Sequence, residues 1–467
     1  MSVLERIRSG ALARMGVLDD QRARDVSALL EQCEHDGLET LRFVFTDQHG
    51  ILRGKTLTAE ALPSAFANGV RVPSTLLLKD TAHRTVFPVW SPSGGLMQGA
   101  SDVLLVPLPD SLTPLPWAPH SALIHCAVMT IDGAPIPFAP LHVLQTANDA
   151  LTRRGLDPLM GLEVEFSVFT RGADGDVPLN PGYQYLTETR YAAHEDLLDL
   201  LRRTAQGMGL PVRSVEIEFG PGQFEFTFAP ADPLTIARMA VTFRTMVKAV
   251  CQRQGLHASF MAKPRIANAM ANGWHIHQSM SDAASGKSLF QPDAAGKMPA
   301  FAAHWVAGLL AHAEAACLLT TPTVNGYKRY APYQLAPNAI GWGLDNRGTM
   351  IRAIMDPADP ASRVENRVAD STANPYYALA SQLVCGLDGV TNTLSPPAPM
   401  TAPYDTDARR LPTNLGAAID AFSRSALMRG ALGDAFVDYL TQLKTAEWDR
   451  YLTTISEWEQ SEYFDTF

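Results

Sequence analysis

The alternation in Gly161-Leu-Glu-Val-Glu-Phe-Ser-Val-Phe169 limits this chain more than any other feature. Successive strand side chains point to opposite faces, so Leu162, Val164, Phe166 and Val168 turn one way and Glu163 and Glu165 the other. The pattern returns over 215–228. There Val215, Ile217 and Phe219 share one face, and Phe224, Phe226 and Phe228 line the returning strand. Glu218 and Glu225 lie on the opposite faces and can meet across the Gly220-Pro-Gly-Gln turn. Taken alone, this is an amphipathic hairpin with solvated glutamates. The repeat of the polar face at Glu163 and Glu165 argues for a built acidic hollow. His275 and His277, two apart after Asn272-Gly273, and Glu365 in Arg363-Val-Glu-Asn-Arg367 extend the set. Carboxylates crowded on one face repel unless cations bind between them. Mostly oxygen donors with an imidazole suit Mg²⁺ or Mn²⁺.

At 467 residues the chain is expected to form two domains. A net charge of −10 excludes the basic field of a nucleic-acid binder, while local arginines still allow a small anionic substrate. Cys33, Cys126, Cys251, Cys317 and Cys385 are widely spaced, which reads as reduced thiols and a cytoplasmic setting. The start carries no signal-peptide core, and the apolar stretch Phe301–Leu319 holds His304, His312 and Glu314. It reads as one buried helix, not a membrane span.

The spacing predicts a helix over Asp20–His35, and a hairpin whose strands flank Asp47-Gln-His-Gly50. Five prolines between Pro107 and Pro119 mark a boundary, giving domains 1–115 and 116–467. The second part alternates helices (142–155, 194–208, 234–254, from Ala300 and from Asn374) with strands, so the class is α+β. Arg363 and Arg367 flank Glu365, and Arg347 and Arg352 lie nearby in sequence. Beside a metal cluster such guanidiniums can hold phosphoryl oxygens bidentately. No P-loop or Gly-x-Gly-x-x-Gly motif opens a helix.

Together these segments resemble the glutamine synthetase family. The resemblance rests on Gly-Leu-Glu-Val-Glu-Phe, Glu-Phe-Gly-Pro-Gly-Gln-Phe-Glu, Gly-Trp-His-Ile-His-Gln-Ser, Asn325-Gly-Tyr-Lys-Arg-Tyr-Ala-Pro, Asp345-Asn-Arg-Gly-Thr-Met-Ile-Arg and Arg-Val-Glu-Asn-Arg-Val-Ala-Asp-Ser, in family order. It implies a small N-terminal β-grasp domain and a catalytic domain with a curved antiparallel sheet flanked by helices. It also implies a homo-oligomer, a dodecamer of two hexameric rings with active sites between subunits. ATP and two to three Mg²⁺ or Mn²⁺ ions are the implied cofactors. Carried over by motif position, Glu165, Glu218 and Glu225 hold one metal, and Glu163, His275 and Glu365 the other. His277, Ser279, Arg352 and Arg363 match ATP-side positions, and Arg329 the clamp on the glutamate α-carboxylate. Arg367 and Gly273 match substrate-side positions, and Arg347 a position that stabilises the transferring phosphoryl group.

The chain departs from the family where ammonia is bound. Members that use ammonia carry a flap glutamate in Tyr-Glu-Ala-Pro; here the stretch is Tyr333-Gln-Leu-Ala-Pro337, with Leu335 in the acid's place. They also carry an aspartate in a Phe-Asp-Gly-Ser-Ser-like loop, whose counterpart Val70-Arg-Val-Pro-Ser-Thr75 has no acid. A cation desolvated without partners is costly, so both losses weaken an ammonium site. Met270-Ala271 also replaces the family's Asn-Gly. The expected activity is an ATP-dependent ligase joining glutamate to an alkyl or aryl amine through γ-glutamyl phosphate. Its rivals are glutamine synthesis from ammonia with Asp80 or Asp345 as the replacement acid, a guanidino-kinase-like phosphotransferase, and an inactive structural relative.

Overall fold

The helix Asp20–His35 forms as its spacing predicts. The Asp19 carboxylate caps its start by accepting from the Arg22 N–H, and Val26, Leu29 and Leu30 are buried. Strands Thr40–Thr46 and Leu52–Thr58 then pair antiparallel. Between them the Asp47 carboxylate accepts from the His49 and Ile51 N–H groups, and Gly50 takes φ 72°. The computed structural model describes residues 2–172, 175–331 and 335–467.

The first sheet runs Leu52–Thr58, Thr40–Thr46, Ser121–Met129, Asp102–Pro107, Val70–Pro73, with Thr113–Pro114 pairing Ser121–Met129. Ser121–Met129 lies parallel to Thr40–Thr46 and antiparallel to Asp102–Pro107. The boundary expected at residue 115 therefore falls between two strands of one sheet. The prolines punctuate a connection inside that sheet, which ends at Met129.

The second sheet holds nine strands among the described residues. Its order is Trp342–Leu344, Ile351–Ile354, Arg363–Asn366, Trp274–Asp282, Leu156–Gly172, Gln223–Phe228, Val212–Ile217, and Leu256–Ser259 and Gly175–Pro178 also pair Leu156–Gly172. The expectation of an antiparallel sheet is corrected at one edge, where Trp342–Leu344 runs parallel to Ile351–Ile354. The chain loops back there: Asp345 adopts φ 43°, its N–H donates to the Ala353 carbonyl, and Ile351 N–H donates to that of Gly341. One face of this sheet is packed. Leu162, Val164, Phe166 and Val168 are buried, and the Phe166 ring meets those of Phe224, Phe226, Phe243 and Phe260. The other face carries the glutamates.

Helices Pro140–Thr152, Pro233–Arg253, Ala300–Ala311 and Pro375–Thr391 cover the apolar side. The expected single helix over Phe301–Leu319 is two, Ala300–Ala311 and Ala313–Thr320, bent by 76°. The break falls at His312, whose Nε2 meets Asp388 Oδ2 at 2.7 Å. Any side chain at Gly308 would strike the Cys385 carbonyl, so this glycine sets how closely Ala300–Ala311 approaches Pro375–Thr391. No single helix among the described residues is long and apolar enough to cross a membrane, and the bent pair, which passes by length and composition only together, is mostly buried.

Candidate active site

The polar face of the second sheet floors a hollow of about 220 Å³. Strand register sets the positions. Glu163 lies opposite His275, Glu165 opposite Glu225, and Arg352 opposite Glu365. The hollow brings together Glu163, Glu165, Glu218, Glu225, His275 and Gly273 with Arg329, Arg347, Arg352, Arg367 and Leu335. A neighbouring hollow of about 350 Å³ is lined by His277, Ser279 and Arg363, and shares Glu163. Glu365, fully buried, lines neither hollow but meets His275, Arg352 and Arg367. Every site residue expected from sequence thus converges on one region. Tyr333 and Gln334 lie outside the described residues.

Glu163 sits between two imidazoles: Oε2 is 3.0 Å from His275 Nδ1 and Oε1 is 2.8 Å from His277 Nε2. Burial works to raise its pKa, but the hydrogen bonds from His275 and His277 outweigh it and the net shift is downward. Glu365 accepts from Arg352 Nη1 at 3.1 Å and from Arg367 Nη1, and its Oε1 lies 3.6 Å from His275. Burial again opposes ionisation, and the charges of Arg367 and His275 again win, so its pKa also falls. Glu218 and Glu225 behave oppositely. Burial, then the charge of Glu165, pushes Glu218 up to about 8 and Glu225 well above its ordinary value. The site thus holds one charged, donor-satisfied side and one frustrated acidic side.

Glu165 meets neutral donors. Its Oε2 accepts from Gln223 Nε2 at 2.9 Å and from the Gly273 N–H at 2.7 Å. Among the described residues, three sets each bring their ligand atoms within 4.8 Å of one another: Glu163, Glu225 and His275; Glu163, His277 and Glu365; and Glu216, Glu218 and Glu225. Glu216 was not singled out from sequence. The signal was present, because Glu216 and Glu218 are two apart and share a strand face, and the observed register sets Glu225 opposite Glu216 rather than Glu218.

The rim is apolar. Tyr185 stacks on Phe219 with centroids 3.9 Å apart, and Met270, Leu335 and Ala336 complete it. Tyr185 also escaped the sequence reading, lying on a loop without periodicity. Among the described residues, Arg329 Nε and Arg367 Nε are buried without a partner, which suits them to an anionic ligand. A Cβ at Gly273 would come within 3.1 Å of His275 Nε2 and 3.6 Å of Arg329 Nη2, so its bare backbone keeps the cradle open. Acid and imidazole donors within ligand distance, with cations and donors aimed inward, fit divalent ions beside phosphate. Val70–Thr75 stands on the first sheet, and none of it lines the hollow of its own chain.

A nine-stranded mixed sheet presenting this acid, imidazole and arginine set over one face defines a family, and the comparisons agree on it. The profile described as glutamine synthetase, catalytic domain, matches residues 138–463. The gamma-glutamylanilide synthase of Acinetobacter sp is 34% identical over 96% of this chain and 97% of its own. The glutamine synthetase of Clostridium saccharobutylicum is 32% identical over 94% and 98%. A solved GmaS/ADP complex superposes with TM-score 0.83 at 29% identity, covering 94% of this chain and 99% of that one. The chain belongs to the glutamine synthetase family and resembles its amide-ligase members. It is an ATP-dependent carbon–nitrogen ligase.

Proposed function

We propose that this enzyme phosphorylates the γ-carboxylate of glutamate with ATP and joins the resulting γ-glutamyl phosphate to an alkyl or aryl amine. The observation that carries the reading is Leu335. It lines the acid-floored hollow beside Phe219, Tyr185 and Met270, where ammonia-using relatives are expected to place a carboxylate. An apolar rim favours a hydrocarbon body. A weakly basic aryl amine is already neutral near pH 7 and needs no acid to remove a proton.

The rival acids are engaged elsewhere. The Asp80 carboxylate accepts from the Ala82 and Arg84 N–H groups and pairs with Arg450; Asp345 pairs with Arg352, its Oδ1 2.9 Å from Nε. Asp80 has both oxygens engaged, Asp345 commits Oδ1 to Arg352, and neither lines the acid-floored hollow.

The roles assigned are these. Arg329 and Arg367, with the open backbone at Gly273, hold glutamate by its carboxylates. Arg352, Arg363, His277 and Ser279 hold ATP by its phosphates. Glu163, His275 and Glu365 on one side, and Glu165, Glu218 and Glu225 on the other, hold divalent ions. When bound, Mg²⁺ or Mn²⁺ neutralises phosphate charge and the acid floor. A γ-carboxylate oxygen attacks the γ-phosphorus, ADP departs, and Arg347 stabilises the equatorial oxygens. The amine nitrogen then attacks the acyl carbon, loses its proton and expels phosphate.

Assembly into stacked rings with sites between subunits completes the reading. It is supported by Val70–Thr75 lying off its own chain's hollow, and by the terminal segment carrying Ile455, Trp458, Phe464 and Phe467 exposed. The test is ATP- and glutamate-dependent phosphate release with Mg²⁺ or Mn²⁺ across ammonium, methylamine, ethanolamine, isopropylamine, putrescine and aniline. Turnover on a bulky or aromatic amine that exceeds turnover on ammonium supports the reading; equal or greater turnover on ammonium defeats it.

A further inference from the structure

The paired ladder between Leu156–Gly172 and Trp274–Asp282 closes at Val164 and Trp274. The next two residues, Glu165 and Gly273, are joined from the side by a buried hydroxyl. Ser371 Oγ lies 2.6 Å from the Glu165 carbonyl oxygen and 2.9 Å from that of Gly273, so its one proton serves both. Asp370 forms a bridge with Gly273, and the Val368 carbonyl accepts from Arg329 Nη1 at 2.8 Å. One short segment, 368–373, thus sets the places of Arg329, of Gly273 and of the Glu165 main chain.

The segment is tied in turn to the first sheet by Arg244, on the helix Pro233–Arg253. Arg244 Nη1 donates to the Ser371 carbonyl at 2.8 Å and the Ala373 carbonyl at 3.4 Å, and Nη2 to the Gly50 carbonyl at 2.6 Å. Only a planar fork spans acceptors on both sides of such a gap. Asn374 Nδ2 adds a parallel tie, donating to the Asp47 carbonyl at 2.9 Å. The hairpin offers a firm anchor, because the Asp47 carboxylate is fully buried and pairs with Arg53 at 2.8 Å. Packing does little on this side: a cavity of about 570 Å³ lies behind the turn, walled in part by Arg244, Ser371, Thr372 and Asn374. We propose that Arg244 and Ser371 are positioning residues for glutamate. Neither lines the acid-floored hollow; through 368–373 they hold Arg329 and Gly273 in register with the first-sheet hairpin.

The proposal rests on the glutamate-binding reading above. Its test is steady-state kinetics of the full chain at saturating Mg²⁺, with whichever amine the wild type turns over fastest, ammonium included. The variants are Ser371→Ala, Arg244→Met, Arg244→Lys and the double variant Ser371→Ala/Arg244→Met, each checked for fold by circular dichroism. Ser371→Ala should raise KM for glutamate by about fivefold, the scale of one lost hydrogen bond, and Arg244→Met by roughly tenfold. KM for ATP and kcat should change little, a split that a general loosening of the fold does not produce. Arg244→Lys should recover part of the loss. Because both residues act on one segment, the double variant should fall short of the product of the two single effects. A wild-type KM for glutamate in both single variants, an equal rise in KM for ATP, or a double variant at the full product overturns the assignment. If Arg244→Met fails to fold, Arg244→Lys alone and combined with Ser371→Ala gives the same comparison. Arg329→Met separates the two levels. A wild-type glutamate KM there defeats the glutamate reading and this assignment with it. A raised KM there, beside wild-type values in Ser371→Ala and Arg244→Met, defeats this assignment alone.

Discussion

Stripping the divalent ions should leave the acidic floor holding protons that the metal must displace. Glu218 is 9% exposed, and its pKa is pushed up to about 8 from 4.5 by burial and then by the charge of Glu165. At pH 7 a group of that pKa is about nine-tenths protonated. The difference corresponds to about 5 kcal/mol at 1.36 kcal/mol per pH unit. A raised folded-state pKa contributes stability that is fully present below pH 4.5 and lost as pH rises toward 8. Glu225 shifts the same way. Glu163 and Glu365 are lowered, so their contribution is lost only as pH falls below the ordinary carboxylate range. His49, His125, His142, His194 and His257 are lowered from 6.5 by burial and add an opposite slope below that pH, so the window between about pH 7 and 8 isolates the raised pair. Metal-free protein should lose stability across it, and saturating Mg²⁺ or Mn²⁺ should reverse the slope, because cation and proton compete for the same oxygens. The assay is calorimetric titration of MnCl₂ at pH 7 in buffers of differing ionisation enthalpy, which counts protons released. Wild type should release about one proton from Glu218 and a further fraction from Glu225, and Glu218→Gln about one fewer. Zero proton release in wild type, with metal-free stability flat from about pH 7 to 8, would refute the reasoning.

Further outcomes follow from the same site. Leu335→Glu adds a carboxylate to the rim proposed to contact the amine; it should cut kcat/KM for an organic amine by about tenfold, on the scale of one lost apolar contact, while raising ammonium use. An unchanged amine preference in steady-state kinetics would count against the rim. Arg329→Met removes a buried guanidinium with an unpartnered Nε and should raise KM for glutamate by roughly 10- to 100-fold, with KM for ATP little changed. Truncation after Thr453 removes exposed Ile455, Trp458, Phe464 and Phe467, and should shift the particle to smaller species in sedimentation. Gly308→Val should lower the melting temperature or abolish soluble expression, since no side chain fits against the Cys385 carbonyl.

Local features were the legible ones. The helix Asp20–His35, the hairpin around Asp47–Gly50 and the alternating faces at Glu163 and Glu218 follow from spacing and turn chemistry alone, and all three form. The candidate site was legible because strand alternation turns the carboxylates to one face, and motif order supplied the other candidates. Long-range pairing was not. Ser121–Met129 joins Thr40–Thr46 in parallel across some eighty residues, and nothing in either strand announces the partner. The bend at His312 interrupts an apolar run that composition alone reads as continuous. Glu216 was missed because register decides which of two same-face glutamates meets Glu225, and register depends on where the turn closes. Glu165's bond to the Gly273 N–H likewise depends on a loop approach that no periodicity encodes.

The most direct test of the central claim is a competition. Purified enzyme is given ATP, glutamate, Mg²⁺ and equal concentrations of ammonium and aniline or isopropylamine, and the products are resolved by mass. The account predicts that the γ-glutamyl amide of the organic amine dominates over glutamine. Glutamine as the main product, with the organic amine untouched, would contradict it.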